Sequence, residues 1–180
     1  MNNEPFWLYN KKNAHCSYCG GLFFDDKFPQ ECFICKNITY VNPLPVGVAM
    51  IPCSPHKHYS YKSPLLLIQR ASGAEEGKWA LPGGYLELGE SWEEGITREV
   101  KEEVGLDLDP KLFKIFDAKT AKSGNLLLFA FYDKYGLCLD DIKFVANKEV
   151  TAIKVVDGNE EIAFPTHQKV IEAYFNNYNL

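Results

Sequence analysis

The chain has 180 residues, which is enough for one domain of ordinary size and a small additional unit. Apolar residues make up 46% of the sequence and charged residues 24%, which excludes a disordered or low-complexity protein. The formal net charge of -5 argues against nonspecific binding to nucleic acid. No apolar run approaches the roughly 20 residues of a membrane span. Since no signal peptide is evident either, the sequence predicts a soluble cytoplasmic protein.

Four cysteines near the N-terminus follow a metal-binding spacing. Two residues separate Cys16 from Cys19, and two separate Cys32 from Cys35. Two such pairs can present four thiolates to one tetrahedral zinc ion. Two disulfides are the alternative, but a reducing compartment favours zinc. We predict a zinc ribbon over residues 1–41, too small to fold without the free energy of metal binding.

The ribbon is not predicted to bind nucleic acid. Over residues 1–45, four lysines are balanced by four acidic residues, so the basic footprint of a nucleic-acid-binding module is missing. We therefore expect a structural or dimer-building role for the ribbon, and a second domain over residues 42–180.

Short apolar runs bounded by proline and polar residues follow the ribbon. Such runs predict strands, here residues 46–51, 65–69, 112–118, 126–132 and 150–156. His56 and His58 lie in the loop between the first two runs, which we interpret as solvated rather than metal-binding. Cys53 and Cys138 are predicted to be buried thiols. A closing helix is expected from Pro165, so strands interleaved with helices indicate an α/β or α+β domain.

Within the segment 83–106, the residues from Ser91 to Gly105 predict an amphipathic helix with clear ends. Ser91 followed by Glu94 forms a capping box at its start. Gly105 fits the left-handed residue that commonly ends a helix. Apolar residues recur every four positions and predict a buried stripe: Trp92, Ile96, Val100 and Val104.

Glu99, Glu102 and Glu103 fall on one sector of this helix, beside the apolar stripe. Grouping like charges next to a core is unfavourable. A hard divalent cation such as Mg²⁺ or Mn²⁺ would remove the repulsion. Gly95 lies one turn earlier on the same sector, where we expect open space for metal or substrate. An acidic, solvated helix face is the alternative interpretation.

The wider segment follows the pattern Gly84-x5-Glu90-x7-Arg98-Glu99-Val100-x-Glu102-Glu103-x-Gly105-Leu106. This spacing matches the Nudix box, so the chain resembles a Nudix hydrolase preceded by a zinc ribbon. The resemblance implies an α/β fold, an α/β/α sandwich around a mixed sheet. It also implies hydrolysis of a nucleoside diphosphate linked to another group.

The resemblance assigns roles to the residues of the box. The three helix glutamates match the residues that bind Mg²⁺ or Mn²⁺, and the carbonyl of Gly84 can complete the coordination. Glu90 and Arg98 match positions that brace the loop and the helix by an ion pair. A further glutamate after the box acts as the base in many members, and Glu149 is the candidate here. The alternatives are Asp140, Asp141, Glu160 and Glu161.

The combination of ribbon and box narrows the expected substrate. It resembles the small zinc-ribbon Nudix enzymes that act on FAD or ADP-ribose and, less closely, the NADH pyrophosphatases. Residues 16–21, 40–43 and 162–165 match runs of the smaller group, which would release AMP from such a substrate. Arg70, Tyr85 and Phe164 are candidate substrate contacts, although we interpret Tyr85 and Phe164 first as core residues.

Two further expectations concern partners. A small-molecule nucleotide is the expected ligand, and homodimers are frequent among proteins that resemble this one. The alternative function is a non-catalytic nucleotide sensor that uses the ribbon to bind a partner.

Overall fold

A computed structural model describes residues 12–55, 64–134 and 136–177 of the chain. His56 and His58 lie outside the described residues. The chain divides into two compact units, one ending at Pro43 and the other beginning at Leu44. The domain boundary expected from the sequence, between residues 41 and 42, falls two residues earlier.

The first unit has little regular structure. Strand β1 (Gln30–Glu31) pairs antiparallel with strand β2 (Ile38–Thr39). Its described core contains Phe23 and two cysteines, with the ring of Phe28 edge-on to Phe23 at 5.7 Å between centroids. The core among the described residues of this unit is small, and a bound metal would add to the free energy of folding.

The second unit alternates strands and helices in the order that the sequence predicts. Its elements are β3 (Pro45–Met50), β4 (Leu65–Arg70), β5 (Trp79–Ala80), β6 (Gly83–Tyr85), α1 (Trp92–Val104), β7 (Phe113–Thr120), β8 (Leu126–Tyr132), β9 (Val150–Val156) and α2 (Pro165–Asn177). Short 3₁₀ turns at Pro110–Leu112 and Leu139–Asp141 precede β7 and follow β8.

Two sheets form within this unit. One has the strand order β6-β3-β8-β7, in which β3 and β8 are parallel and the other neighbours antiparallel. The other has the order β5-β4-β9 and is antiparallel. The mixed sheet that the resemblance implies is therefore confirmed.

Strands β3 and β4 supply side chains to both of two hydrophobic cores, because successive side chains of a strand point to opposite faces. Ala49 and Leu66 belong to the core that includes Ile96 of α1, with Val100 and Val104. Their neighbours Val48 and Leu65 belong to the other core, which includes Val170, Ile171 and Tyr174 of α2. A helix on each face of the strands is the α/β/α sandwich that the sequence predicts.

Helix α1 begins and ends where its sequence predicts. The Ser91 hydroxyl accepts a hydrogen bond from the N–H of Glu94, whose carboxylate accepts one from the N–H of Ser91. Gly105 adopts a left-handed conformation with φ of 78°. The capping box therefore fixes the register of the helix, and with it the face on which each glutamate lies.

Candidate functional site

The four cysteines converge in the first unit. Their Sγ atoms all lie within 4.8 Å of one another, and the Cys16–Cys35 and Cys19–Cys32 pairs are each 3.6 Å apart. Four sulfurs at about 2.3 Å from a tetrahedral zinc ion would be about 3.8 Å apart. All four thiols are free, so the disulfide alternative is not adopted. The cluster is compatible with a zinc ribbon.

The two Cys-x2-Cys turns are built alike. The N–H of Gly20 donates to the carbonyl of Cys16 at 3.0 Å, and the N–H of Lys36 donates to the carbonyl of Cys32 at 2.9 Å. Gly20 has φ of 75° and Lys36 has φ of 61°. A side chain in this left-handed region costs about 1 kcal/mol. Lys36 thus occupies a position for which glycine is the better residue.

Hydrogen bonds favour the thiolate form of two of these cysteines. Burial acts to raise the pKa of Cys16, but the N–H of Tyr18 and the hydroxyl of Thr39 are among the donors that lower this pKa to about 6. The N–H of Asn37 is the main cause that lowers the pKa of Cys35. The thiolate is the form that binds metal, and it is favoured at Cys16 and Cys35.

Glu103 is the buried carboxylate of the second unit. Its side chain is 6% exposed, and one of its oxygens accepts a hydrogen bond from the N–H of Gly83 at 2.8 Å. Burial raises its pKa to about 8, and the charges of Glu99 and Glu149 add to the rise. The Gly83 N–H and the charge of Arg70 oppose it.

Glu99 lies against the backbone of Gly84. A Cβ added to Gly84 would lie 2.4 Å from the carboxylate carbon of Glu99, so only glycine leaves room for the carboxylate here. Burial raises the pKa of Glu99, and Arg98 acts to lower it. The charges of Glu102 and Glu149 raise it further, which places these carboxylates within electrostatic reach of one another.

Arg98 connects the box helix to the preceding loop. Its guanidinium donates to both carboxylate oxygens of Glu90, at 3.1 Å from Nε and 2.9 Å from Nη2. Nη1 donates to Glu99 at 2.8 Å and lies 3.5 Å from a carboxylate oxygen of Glu102. Nη2 also donates to the carbonyl of Tyr85 at 3.0 Å. Arg98 and Glu90 thus join the helix to the preceding loop by an ion pair.

Glu102 differs from its neighbours because its side chain is 55% exposed. Among the described residues, only the cysteines bring three or more candidate ligand atoms within 4.8 Å of one another. The carboxylates of the box are not gathered that tightly. The side chain of Glu102 is exposed and lies in an ion pair with Arg98, so it is accessible to a cation from solvent.

Glu149 directly precedes β9. Its side chain is 47% exposed and lies 3.2 Å from the ammonium group of Lys148. Its charge raises the pKa of both Glu99 and Glu103, and the side chain of Asn147 joins its backbone to the end of α1. Of the alternatives, Glu160 forms an ion pair with Lys154 at 2.7 Å.

The three candidate substrate contacts have different surroundings. Arg70, at the end of β4, donates to the carbonyl of Ala74 at 2.8 Å, and its guanidinium carbon lies 5.2 Å from the ring centroid of Phe164. Phe164 packs partly buried against the core beneath α1. Tyr85 is exposed, and its hydroxyl accepts a hydrogen bond from Asn125 at 3.2 Å. The interpretation of Tyr85 as a core residue was wrong, because its side chain, at the end of the edge strand β6, is 54% exposed.

The expectation of open space at Gly95 was also wrong. A Cβ added there would lie 2.6 Å from a carboxylate oxygen of Glu90 and 2.6 Å from a methyl group of Leu86. The glycine allows the preceding loop to lie directly on the helix. It therefore supports the Glu90–Arg98 contact rather than the approach of a ligand.

Sequence reasoning missed two polar groups that contact the site. One is the N–H of Gly83, which no side-chain pattern can reveal. The other is Asn147, whose side chain joins the end of α1 to the backbone of Glu149. Its position two residues before the candidate base was the available signal.

Neither helix in the described ranges has the length and apolar character needed to cross a membrane.

The chain belongs to the Nudix family, since the family described as "NUDIX domain" matches residues 43–173. It is 52% identical over 42 residues to an ADP-ribose pyrophosphatase of Methanocaldococcus jannaschii, covering 23% of this chain and 25% of that protein. It is 26% identical over 124 residues to the NAD-capped RNA hydrolase NudC of Photobacterium profundum, covering 68% of this chain and 42% of that protein. The chain thus spans less than half the length of either relative.

A solved structure of a Nudix hydrolase from Nitrosomonas europaea has the same fold. It matches with a TM-score of 0.64 and 23% identity, over 91% of each chain.

Proposed function

We propose that this protein hydrolyses the diphosphate linkage of a nucleoside diphosphate derivative in a reaction that depends on Mg²⁺ or Mn²⁺. The expected substrates are FAD, ADP-ribose or a related dinucleotide such as NADH, with release of AMP. The acidic end of α1 is the observation that carries the proposal. There, Glu99 and Glu103 are held largely out of water beside the Gly83–Gly84 backbone, within the electrostatic reach of Glu149.

The carboxylates of this site fit a hard divalent cation. The pKa of Glu103 is raised to about 8 and that of Glu99 is raised as well, so both sites are unfavourable for the ionised form without a counter-charge. Oxygen ligands of this kind suit Mg²⁺ or Mn²⁺. Glu99, Glu102, Glu103 and the carbonyl of Gly84 are the proposed ligands. A bound cation would neutralise the diphosphate and lower the pKa of the attacking water.

The other residues of the site orient these groups and move the proton. Arg98 holds Glu99 and Glu90 by direct hydrogen bonds, which fixes the direction of the Glu99 carboxylate. Glu149 is the proposed general base, which accepts a proton from the attacking water. Its exposure lets a water molecule reach it, and its loop lies at the same end of α1.

Three side chains are proposed to contact the substrate. Tyr85 follows Gly84 and exposes its ring, so it can stack on a base or a flavin. Arg70 supplies a cation whose charge acts on Glu103, and it can meet a phosphate. Phe164 shares a face with the Arg70 guanidinium. The similarity to an ADP-ribose pyrophosphatase supports ADP-ribose among the expected substrates.

Zinc is proposed as a structural ion of the ribbon, residues 1–41, and not as a participant in the hydrolysis carried out by residues 42–180. The ribbon exposes several large apolar side chains, among them Phe24, Phe33 and Ile34. These favour a surface that meets another protein, which suits either a homodimer or the alternative function of a nucleotide sensor.

Turnover under defined metal conditions tests the proposal. The purified protein is assayed with Mg²⁺ or Mn²⁺ on FAD, ADP-ribose, NADH and nucleoside triphosphates, with release of AMP as the readout. Glu102→Gln is the matched control, because its exposed side chain contributes little to the fold. We expect metal-dependent release of AMP that is lost in the variant. Full activity of Glu102→Gln would contradict the proposal, and nucleotide binding without turnover would favour the sensor.

A further inference from the structure

Asn147 joins the C-terminal end of α1 to the loop that precedes β9. Its Nδ2 atom donates to the carbonyls of Glu102 and Glu103, each at 3.3 Å. Its Oδ1 atom accepts hydrogen bonds from the N–H groups of Glu149 at 2.8 Å and Val150 at 2.9 Å. One side chain therefore contacts the backbone of two box glutamates and of the proposed base.

Both ends of this connection meet backbone groups that need partners. The last carbonyls of a helix have no N–H group of the same helix to accept from, and Asn147 supplies donors to two of them. The N–H of Ala71, directly after β4, donates to the carbonyl of Glu149 at 2.8 Å. The backbone of Glu149 is thus held on its N–H side by Asn147 and on its carbonyl side by Ala71.

Only a primary amide can make both sets of contacts, since one side must donate and the other must accept. An aspartate would offer acceptors alone, and its charge would face the negative end of the helix dipole. Asn147 is exposed, and hydrogen bonds for which water competes add little to stability. What these contacts supply is the position of the loop relative to the helix.

We propose that Asn147 is a positioning residue that holds the backbone of Glu149 at the C-terminal end of α1, the helix that carries Glu99 and Glu103. The proposal rests on the function proposed above, in which Glu149 accepts the proton of the attacking water. Displacement of a general base by about 1 Å can cost on the order of 100-fold in rate. Loss of Asn147 should therefore lower kcat while leaving the binding of substrate unchanged.

The test compares Asn147→Ala, Asn147→Asp, Glu149→Gln and the double variant Asn147→Ala/Glu149→Gln, with saturating Mg²⁺ and ADP-ribose or FAD as substrate. We expect Glu149→Gln to lower kcat by roughly 10²- to 10⁴-fold. Asn147→Ala should lower kcat by roughly 10- to 100-fold with KM within about threefold of wild type. Asn147→Asp keeps the acceptor for the loop but loses the donors to the helix, so its kcat should also fall.

The double variant separates positioning from a general structural effect. If Asn147 acts through Glu149, the double variant is no slower than Glu149→Gln alone. The matched control is Asn159→Ala, another loop asparagine, which should retain wild-type kcat. Thermal unfolding of each variant shows whether the protein is folded at the assay temperature.

The inference is overturned by a kcat of Asn147→Ala within threefold of wild type. It is also overturned by losses that multiply in the double variant. If Glu102→Gln is inactive but Glu149→Gln is not impaired, this inference fails while the metal-dependent hydrolysis stands. An inactive wild-type protein would overturn the proposed function together with the inference.

Discussion

The burial of Glu103 predicts an unusual trade between stability and metal binding. Its pKa is raised from an ordinary value of 4.5 to about 8, chiefly by burial. Between these values the folded protein keeps a proton that the unfolded chain has lost. Without Mg²⁺, the contribution of Glu103 to the free energy of unfolding should therefore be fully present below about pH 4.5. It should be lost as the pH rises through about 8.

The perturbation is Glu103→Gln, which removes the titrating group and keeps an oxygen that can accept from the Gly83 N–H. Each pH unit between the folded and unfolded pKa corresponds to about 1.4 kcal/mol, so the full displacement sets an upper bound of about 5 kcal/mol. Relaxation and entry of water reduce it. We expect the variant to exceed wild type by about 1 to 3 kcal/mol at pH 9 in buffer without Mg²⁺, and by little at pH 5.

With Mg²⁺, wild type should be more stable than Glu103→Gln. A cation that binds the ionised carboxylate stabilises wild type by about 2.7 kcal/mol at 100 times its Kd, and Glu103→Gln should lose most of that gain. The assay is urea unfolding followed by tryptophan fluorescence at pH 5, 7 and 9, with and without Mg²⁺. Glu93→Gln, in the first turn of the same helix, is the control. A Glu103→Gln variant no more stable than wild type at pH 9 without Mg²⁺ would refute the reasoning.

Three further predictions concern glycine positions and the ribbon. Gly84→Ala should leave the fold intact but displace the Glu99 carboxylate and weaken Mg²⁺ binding at least tenfold, measured by calorimetry; unchanged affinity would show that this contact is dispensable. Lys36→Gly should raise the unfolding free energy of the zinc-loaded protein by about 0.5 to 1 kcal/mol, since Lys36 adopts the conformation of Gly20; equal or lower stability would contradict this. A chelator of high zinc affinity should unfold the ribbon and release one zinc ion per chain, detected by a colorimetric zinc assay; a stoichiometry of zero would rule out the zinc site.

The main elements of the second unit could be predicted because each has a strong local signal. The strand Leu126–Tyr132 and the strand Val150–Val156 agree with the predicted ranges 126–132 and 150–156. The helix ends at Ser91 and Gly105 follow from capping chemistry that acts within a few residues. Strands β5 and β6, of two and three residues, are too short for a periodic pattern to reveal them.

The sequence could predict the acidic residues of the candidate site. It could not predict the backbone groups that contact them. The box fixes which glutamates share a helix face, because helical spacing alone determines that. The contact between Gly84 and Glu99 and the hydrogen bond from the Gly83 N–H to Glu103 depend on how β6 lies across α1. This packing depends on the tertiary structure and leaves no pattern in the local sequence.

The errors at Gly95 and Tyr85 have a common physical cause. A glycine within a helix indicates that another group lies close to the helix backbone. The sequence does not show whether this group belongs to a ligand or to the protein. At Gly95 the neighbour is the loop of Glu90. Likewise, an aromatic residue in a strand is buried only if its side chain points toward a core, and the side chain of Tyr85 is exposed.

The three glutamates of the helix are equivalent in the sequence pattern but not in the structure. Glu103 is buried and accepts a hydrogen bond from the backbone N–H of Gly83. Glu99 forms an ion pair with Arg98, and the side chain of Glu102 is 55% exposed. Replacing Glu103 changes stability and metal binding together, and replacing Glu99 also removes a partner of Arg98. Glu102→Gln disturbs the least of the fold, so a loss of turnover in that variant is the result that bears most directly on the proposed role of the metal.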